Sequence, residues 1–202
     1  VHRKPILVHI INHYRKFGLK KFIIASGFKS RVIENYFKNK KDISVINTGS
    51  KTLTGGRLRR LEKYINRTFF LTYGDGLSDI NINKLYKFHK KHNKIATITG
   101  VHPIARFGEI VINKNNLVKS FNEKPQVKND WINGGFFVFE TKIFNYLRND
   151  NEILEKYPLQ KLSKMKELVV YKYDGFWHCM DTIRDIEIVN EILKSKWQRK
   201  KS

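Results

Sequence analysis

Hydrophobic positions along the first half of the chain alternate between helical and strand spacing. From Pro5 to Phe17, residues Ile6, Leu7, Ile10, Ile11, Tyr14 and Phe17 fall on one helical stripe. Pro5 sits at a tolerated first position and Gly18 supplies the stop. Phe22-Ile23-Ile24-Ala25 then reads as a short, fully apolar strand. Arg31 to Phe37 reads as a helix, Ile43 to Ile46 as a strand, and Thr54 to Ile65 as a helix opened by Gly55-Gly56. Phe69 to Tyr73 is a third apolar strand running directly into Gly74-Asp75-Gly76; a helix over Ile82 to His92 and a strand over Ile95 to Thr99 follow.

Short apolar strands alternating with amphipathic helices predict an α/β domain, a mostly parallel sheet covered on both faces. Beyond Pro103 the strands crowd together, over Gly108–Ile112, Leu117–Phe121, Ile132–Phe139 and Leu168–Tyr173, which predicts a mixed or antiparallel extension of the same sheet. A helix over Thr182 to Trp197, striped by Ile183, Ile186, Val189, Ile192 and Leu193, closes the pattern, with basic last turns that suit its dipole. Domains of this kind usually open with a strand and a phosphate-binding turn. An N-terminal strand and triphosphate-binding loop ahead of Val1 are therefore expected, and without them residues 1–202 are expected to form one incomplete domain that folds poorly or is inactive.

The 202 residues suffice for one domain with a sizeable core. No apolar run approaches the length of a bilayer span, and no apolar segment resembling a signal peptide follows Val1. A single cysteine excludes an internal disulfide framework and leads us to expect a cytoplasmic protein. The formal net charge of +22 could indicate nucleic acid, an anionic surface or polyanionic small molecules. The basic residues are spread over every predicted helix, however, clustering only at Lys38 to Lys41 and from Lys194 to Lys201, where a solvated helix end is expected. This favours a general compositional bias. The aromatic residues lie in predicted core strands and are not interleaved with cations on one face, which argues against nucleic acid as a partner.

Candidate chemistry concentrates at strand ends. Tyr73-Gly74-Asp75-Gly76 follows an apolar strand, where open α/β sheets bind ligands, and Asp75 is a hard carboxylate suited to Mg²⁺. The alternative is a plain Asp-Gly turn. Trp177-His178-Cys179-Met180-Asp181-Thr182 ends an aromatic strand; Asp181 is either the N-cap of the last helix or a second carboxylate for the metal held by Asp75. Leu53-Thr54-Gly55-Gly56-Arg57 opens a helix whose first backbone N–H groups are candidates for a ligand. No P-loop occurs. His9 and His13, one turn apart, lack an acidic partner, so metal binding there is not expected. His178 and Cys179 point to opposite faces of a strand, and Cys179 is expected to be a small buried thiol.

Together these segments resemble one family. Thr54-Gly55-Gly56-Arg57-Leu58, Thr72-Tyr73-Gly74-Asp75-Gly76, Arg106-Phe107-Gly108, Glu123-Lys124-Pro125, Ile132-Asn133-Gly134-Gly135-Phe136-Phe137 and Gly175-Phe176-Trp177 with Met180-Asp181-Thr182 fall in the order and rough spacing of the glucose-1-phosphate cytidylyltransferases. The resemblance spans essentially the whole chain. It implies a Rossmann-like nucleotidyltransferase fold, CTP and a sugar 1-phosphate as substrates, Mg²⁺ held by Asp75 and Asp181, and Lys124 on the sugar phosphate with Glu123 beside it. It places Arg57, Tyr73 and Asn133 in the ligand pocket and Gly55 and Gly56 near the nucleotide. It further implies a homo-oligomer whose product feeds the synthesis of surface polysaccharides such as O-antigen. The chain departs from the family at His178 and Cys179. Its rivals are the same transfer with UTP, dTTP or GTP, a non-catalytic nucleotide-sugar-binding protein, and a basic nucleic-acid-binding protein.

Overall fold

The computed structural model describes residues 1, 4–105, 107–123, 126–127 and 130–198; the side chains of 193 and 195–198 fall outside the description, and with them most of the expected basic tail. The first half alternates as its apolar spacing predicts. Helix α1 (Ile6–Arg15) leads to strand β1 (Phe22–Ser26), helix α2 (Ser30–Phe37), strand β2 (Ile43–Asn47) and helix α3 (Thr54–Arg59). Strand β3 (Phe69–Thr72), strand β4 (Gly76–Ser78), helix α4 (Ile82–His92) and strand β5 (Ala96–Val101) complete that half. The helix expected over Thr54 to Ile65 is shorter: it ends at Arg59, and Glu62–Tyr64 forms a separate 3-10 turn.

The second half carries β6 (Glu109–Ile112), β7 (Val118–Asn122), β8 (Ile132–Phe139), α5 (Tyr157–Lys164), β9 (Leu168–Lys172), β10 (Trp177–Cys179) and α6 (Ile183–Gln198). A 3-10 segment at Thr141–Tyr146 precedes α5. Neither it nor α5 stands out by apolar periodicity, although Pro158 at the start of α5 is a legible helix-opening signal.

The central sheet runs β3-β8-β5-β9, with β5 parallel to β9 and β8 antiparallel to both of its neighbours. β1 and β2 form a parallel pair, and β6 and β7 an antiparallel ribbon. The mixed α/β architecture is the one expected, with the antiparallel member β8 in the second half; β6 and β7, expected to extend the same sheet, instead pair only with each other among the described residues. β8 is the axis of the core. Phe137 and Phe139 face one apolar cluster with Leu58, Ile143, Leu154 and Leu162, while Phe136 and Val138 face the other with Ile80, Ile82, Leu85 and Val189. Strand alternation sends successive side chains to opposite faces, so one uninterrupted apolar run fills both layers.

Three histidines are folded into these layers. Burial lowers the pKa of His13, whose ring donates to the Ile80 carbonyl, and likewise that of His89 and His92, which both reach the Thr97 hydroxyl. The ring of His89 is 1% exposed, and its desolvation outweighs the attraction of the Glu140 carboxylate beside it. Each folded pKa lies below the unfolded value of about 6.5, so on acidification the unfolded chain binds protons first. The stability these groups contribute is present above that value and is lost as pH falls through it. We expect the melting temperature to drop by several degrees between about pH 7.5 and pH 5.5. A melting temperature that stays level or rises over that interval contradicts this account of the buried histidines.

Candidate active site

The site forms where β3 ends. Tyr73 leaves the strand, the chain bends through Gly74 and Asp75, and β4 begins at Gly76. β4 then pairs antiparallel with β10, Gly76 opposite Cys179, Leu77 opposite His178 and Ser78 opposite Trp177. The pairing continues beyond the ladder: the Met180 N–H donates to the Asp75 carbonyl at 2.9 Å, and the Asp79 N–H to the Phe176 carbonyl at 3.2 Å. Asp75 and Asp181 therefore converge. A carboxylate oxygen of each and the sulfur of Cys179 lie within 4.8 Å of one another. Both carboxylates are exposed and the thiol is half-buried.

Of the two readings left open for Asp181, the structure removes the cap. The helix start is closed by Thr182 and Asp185: the Asp185 carboxylate accepts from the Thr182 N–H at 2.8 Å and the Thr182 hydroxyl at 2.7 Å, while the Asp185 N–H donates back to that hydroxyl at 3.3 Å. This is a reciprocal capping arrangement, and its Thr-x-x-Asp spacing was present in the sequence. Burial opposes the charge on Asp185, but Thr182 and the ring of His178 hold its carboxyl below the usual range. The Asp181 side chain instead accepts from the Cys179 thiol at 3.4 Å.

Cys179 is half-buried, where a buried thiol was expected. It borders both carboxylates, and burial together with the Asp75 charge pushes its pKa up to about 12. His178, on the opposite face, is buried against Asp185, so the two neighbours are separated as strand geometry requires.

Tyr73 links the remaining segments. Its N–H donates to the Gly135 carbonyl at 3.0 Å, and the Gly135 N–H in turn donates to the Asn133 side chain at 2.8 Å. Its hydroxyl donates to Glu155, whose second oxygen accepts from the Thr54 hydroxyl at 2.9 Å. The glycine pair of β8 is a bulge: the β5–β8 register shifts between Ile98 and Gly100, and Gly135 has φ +73°. A β-carbon at Gly135 would lie 2.8 Å from the Tyr73 ring. The neighbouring Gly134 carbonyl accepts the Trp177 indole N–H at 2.7 Å, so the bulge holds both strands that carry the carboxylates. Sequence reasoning missed Glu155 altogether, because nothing local marks it.

The N–H groups of Gly55 and Gly56, expected to be open to a ligand, both donate to the Glu152 carbonyl, at 2.9 and 3.1 Å. They are occupied because α3 packs directly on the 150–152 turn. Arg57 reaches the carboxyl ends of β1 and β2, donating to the Ser26 carbonyl at 3.0 Å and the Thr48 hydroxyl at 2.7 Å. Glu123 is exposed at the end of β7, near Gly108. Lys124, Pro125 and Arg106 lie outside the described residues. Among the described candidates, then, the structure brings Asp75 and Asp181 into one cluster and ties Tyr73 to both Asn133 and the Thr54 turn. The chemistry of the cluster, two hard carboxylates open to solvent at the carboxyl end of a sheet strand, fits a magnesium ion shared with phosphates.

Comparison with known proteins identifies the family. Residues 1–194 match the family described as Nucleotidyl transferase. The glucose-1-phosphate cytidylyltransferase of Salmonella typhimurium strain LT2 is 36% identical, over 98% of this chain and 86% of that protein. Among solved structures, HddC from Yersinia pseudotuberculosis complexed with GMP-PN superposes with a TM-score of 0.72 at 20% identity, covering 94% of this chain and 86% of that one. An apo UDP-glucose pyrophosphorylase gives 0.68 at 17% identity, covering 96% and 88%. At these identities the two structures share the fold.

The tight seat of α3 yields a direct test. A β-carbon at Gly56 would lie 2.2 Å from the Asp150 carbonyl oxygen, a backbone atom that cannot swing aside, whereas at Gly55 the nearest atom, the Glu152 carbonyl oxygen, is 3.0 Å away. Gly56→Ala is expected to lower stability by about 1–3 kcal/mol, and Gly55→Ala by less. Urea denaturation measures both, and wild-type stability in Gly56→Ala would contradict the packing described.

Proposed function

The chain belongs to the nucleotidyl transferase family and, within it, to the glucose-1-phosphate cytidylyltransferases, and from that premise we propose that it makes CDP-glucose and pyrophosphate from CTP and glucose 1-phosphate. The observation that carries the reading to the site is the convergence of Asp75 and Asp181 across β4 and β10. A sugar-phosphate oxygen forms a bond to the α-phosphorus of CTP. The bond from that phosphorus to the bridging oxygen breaks, and pyrophosphate departs with the electron pair. The attacking phosphate is already largely ionised near neutrality, so no side chain need remove a proton; positioning and charge neutralisation supply the catalysis. This suits a set of candidate residues that consists of carboxylates and cations.

In this reading Asp75 and Asp181 hold Mg²⁺, which when bound would neutralise phosphate charge. Lys124 and Arg57 offset the charge of the sugar phosphate, and Glu123 lies beside Lys124. Tyr73 and Asn133 line the pocket, and Gly55 and Gly56 lie near the nucleotide. The ties of Arg57 to Ser26 and Thr48 support a fixed cation at the ends of the parallel pair, and the ties of Tyr73 to Glu155 and Gly135 support a rigid wall.

We read the protein as a cytoplasmic homo-oligomer serving surface-polysaccharide synthesis. No helix among the described residues is long and apolar enough to cross a membrane. The β6–β7 ribbon exposes Ile110, Val111, Ile112, Val118 and Phe121, and a solitary two-stranded ribbon is only marginally stable in water without a surface to pack on. That supports burial against a second copy.

Base choice tests the proposal. Cytosine offers an amine donor and a ring acceptor where uracil offers an acceptor and a donor, so a pocket built on those hydrogen bonds discriminates by roughly 10⁴-fold. With glucose 1-phosphate and Mg²⁺, pyrophosphate release is expected to be dominated by CTP over UTP, dTTP and GTP. Equal rates with CTP and UTP, or a dominant rate with dTTP or GTP, would overturn the cytidylyl assignment.

A further inference from the structure

The converging carboxylates have a third neighbour of different chemistry. The Cys179 sulfur lies within 4.8 Å of an oxygen of both Asp75 and Asp181, and its S–H points at Asp181 over 3.4 Å. It is the only cysteine in the chain, and its half-buried position beside two exposed carboxylates leaves the cluster accessible to an ion. The pairing that opposes Gly76 to Cys179 fixes this arrangement. Magnesium takes oxygen ligands and gains little from sulfur, whereas zinc, cobalt and cadmium accept a thiolate alongside carboxylate oxygens.

We propose that Asp75, Cys179 and Asp181 form a three-donor site for a thiophilic divalent cation of the Zn²⁺, Co²⁺ or Cd²⁺ type, which competes with Mg²⁺ at the transfer centre. The inference rests on the reading of Asp75 and Asp181 as a metal pair and adds the sulfur to it. On binding, the S–H bond breaks, the proton leaves to solvent and a sulfur–metal bond forms; nothing is oxidised or reduced. The hydrogen bond from the thiol to Asp181 is replaced by shared coordination. Because Mg²⁺ recruits two donors and a thiophilic ion three, selectivity at this centre shifts toward the softer metal.

The test adds each metal alone to the purified protein. Co²⁺ is expected to produce a near-ultraviolet thiolate-to-metal absorption band in the wild type that is absent in Cys179→Ser. The same substitution is expected to weaken Zn²⁺ binding by about tenfold or more, the scale on which loss of even a supporting partner weakens a metal site. A second measurement needs no variant: Zn²⁺ should slow carbamidomethylation of Cys179 in the native chain. Asp75→Asn and Asp181→Asn should each weaken Co²⁺ binding and diminish the band. Co²⁺ binding that is weakened by the aspartate substitutions but shows no thiolate band, with alkylation unaffected by Zn²⁺, overturns the three-donor site and leaves the carboxylate pair standing. A thiolate band indifferent to both aspartate substitutions overturns the pair as well.

Discussion

Three residues of β4 paired with three of β10 hold the Asp75–Asp181 cluster together, and the position of both carboxylates depends on that short antiparallel ladder. The ladder joins the strand end that carries Asp75 to the segment that carries Asp181, two stretches separated by more than half of the chain. Three residue pairs are too few to be stable alone. They persist because each end is anchored: Trp177 donates to the β8 bulge, Asp79 and Ser78 hold Phe176, and the Thr182–Asp185 cap fixes where α6 begins. His178, buried beneath the ladder and bonded to Asp185, ties the cap to β10.

The bulge at Gly134-Gly135 extends that constraint into the core. It interrupts β8 one residue before the run Phe136 to Phe139, all four of which are almost completely buried and fill both layers. A strand so heavily packed cannot slide, so the carbonyls it presents to Tyr73 and Trp177 are rigidly placed. Pre-organised groups of this kind matter for a transfer that depends on alignment and charge rather than on proton removal. The same rigidity reaches α3 through Tyr73, Glu155 and Thr54, so the two segments expected to meet the nucleotide and the metal are mechanically connected.

Much of this was legible in the sequence because much of it is local. Apolar periodicity located α1, α2, α4 and the core strands, and Gly18, with φ +85°, ended α1 as a helix-stopping glycine should. The split of α3 from Glu62–Tyr64 is obscured because Leu58, Leu61 and Ile65 keep a helical spacing across the break, and α5 is obscured because Leu159 and Leu162 alone are too few to mark a stripe. β4 was illegible: three residues after an Asp-Gly turn carry no period, and a strand defined by a distant partner leaves no local trace. The same holds for Glu155 and for the proximity of Cys179 to two carboxylates. In the sequence Asp181 is ambiguous between cap and ligand; in the structure Thr182 and Asp185 do the capping. The occupied N–H groups of Gly55 and Gly56 reflect packing on the 150–152 turn, a contact no motif announces.

The central claim is that β4 and β10 unite two carboxylates into one catalytic unit, and a double-mutant cycle on turnover tests it most directly. Asp75→Asn and Asp181→Asn should each cut kcat by orders of magnitude with the fold intact by circular dichroism. The double substitution should be scarcely worse than either single one, because groups acting through one ion are strongly non-additive. Normal turnover in Asp181→Asn with only a lower melting temperature, or fully additive losses in the double variant, would contradict the account.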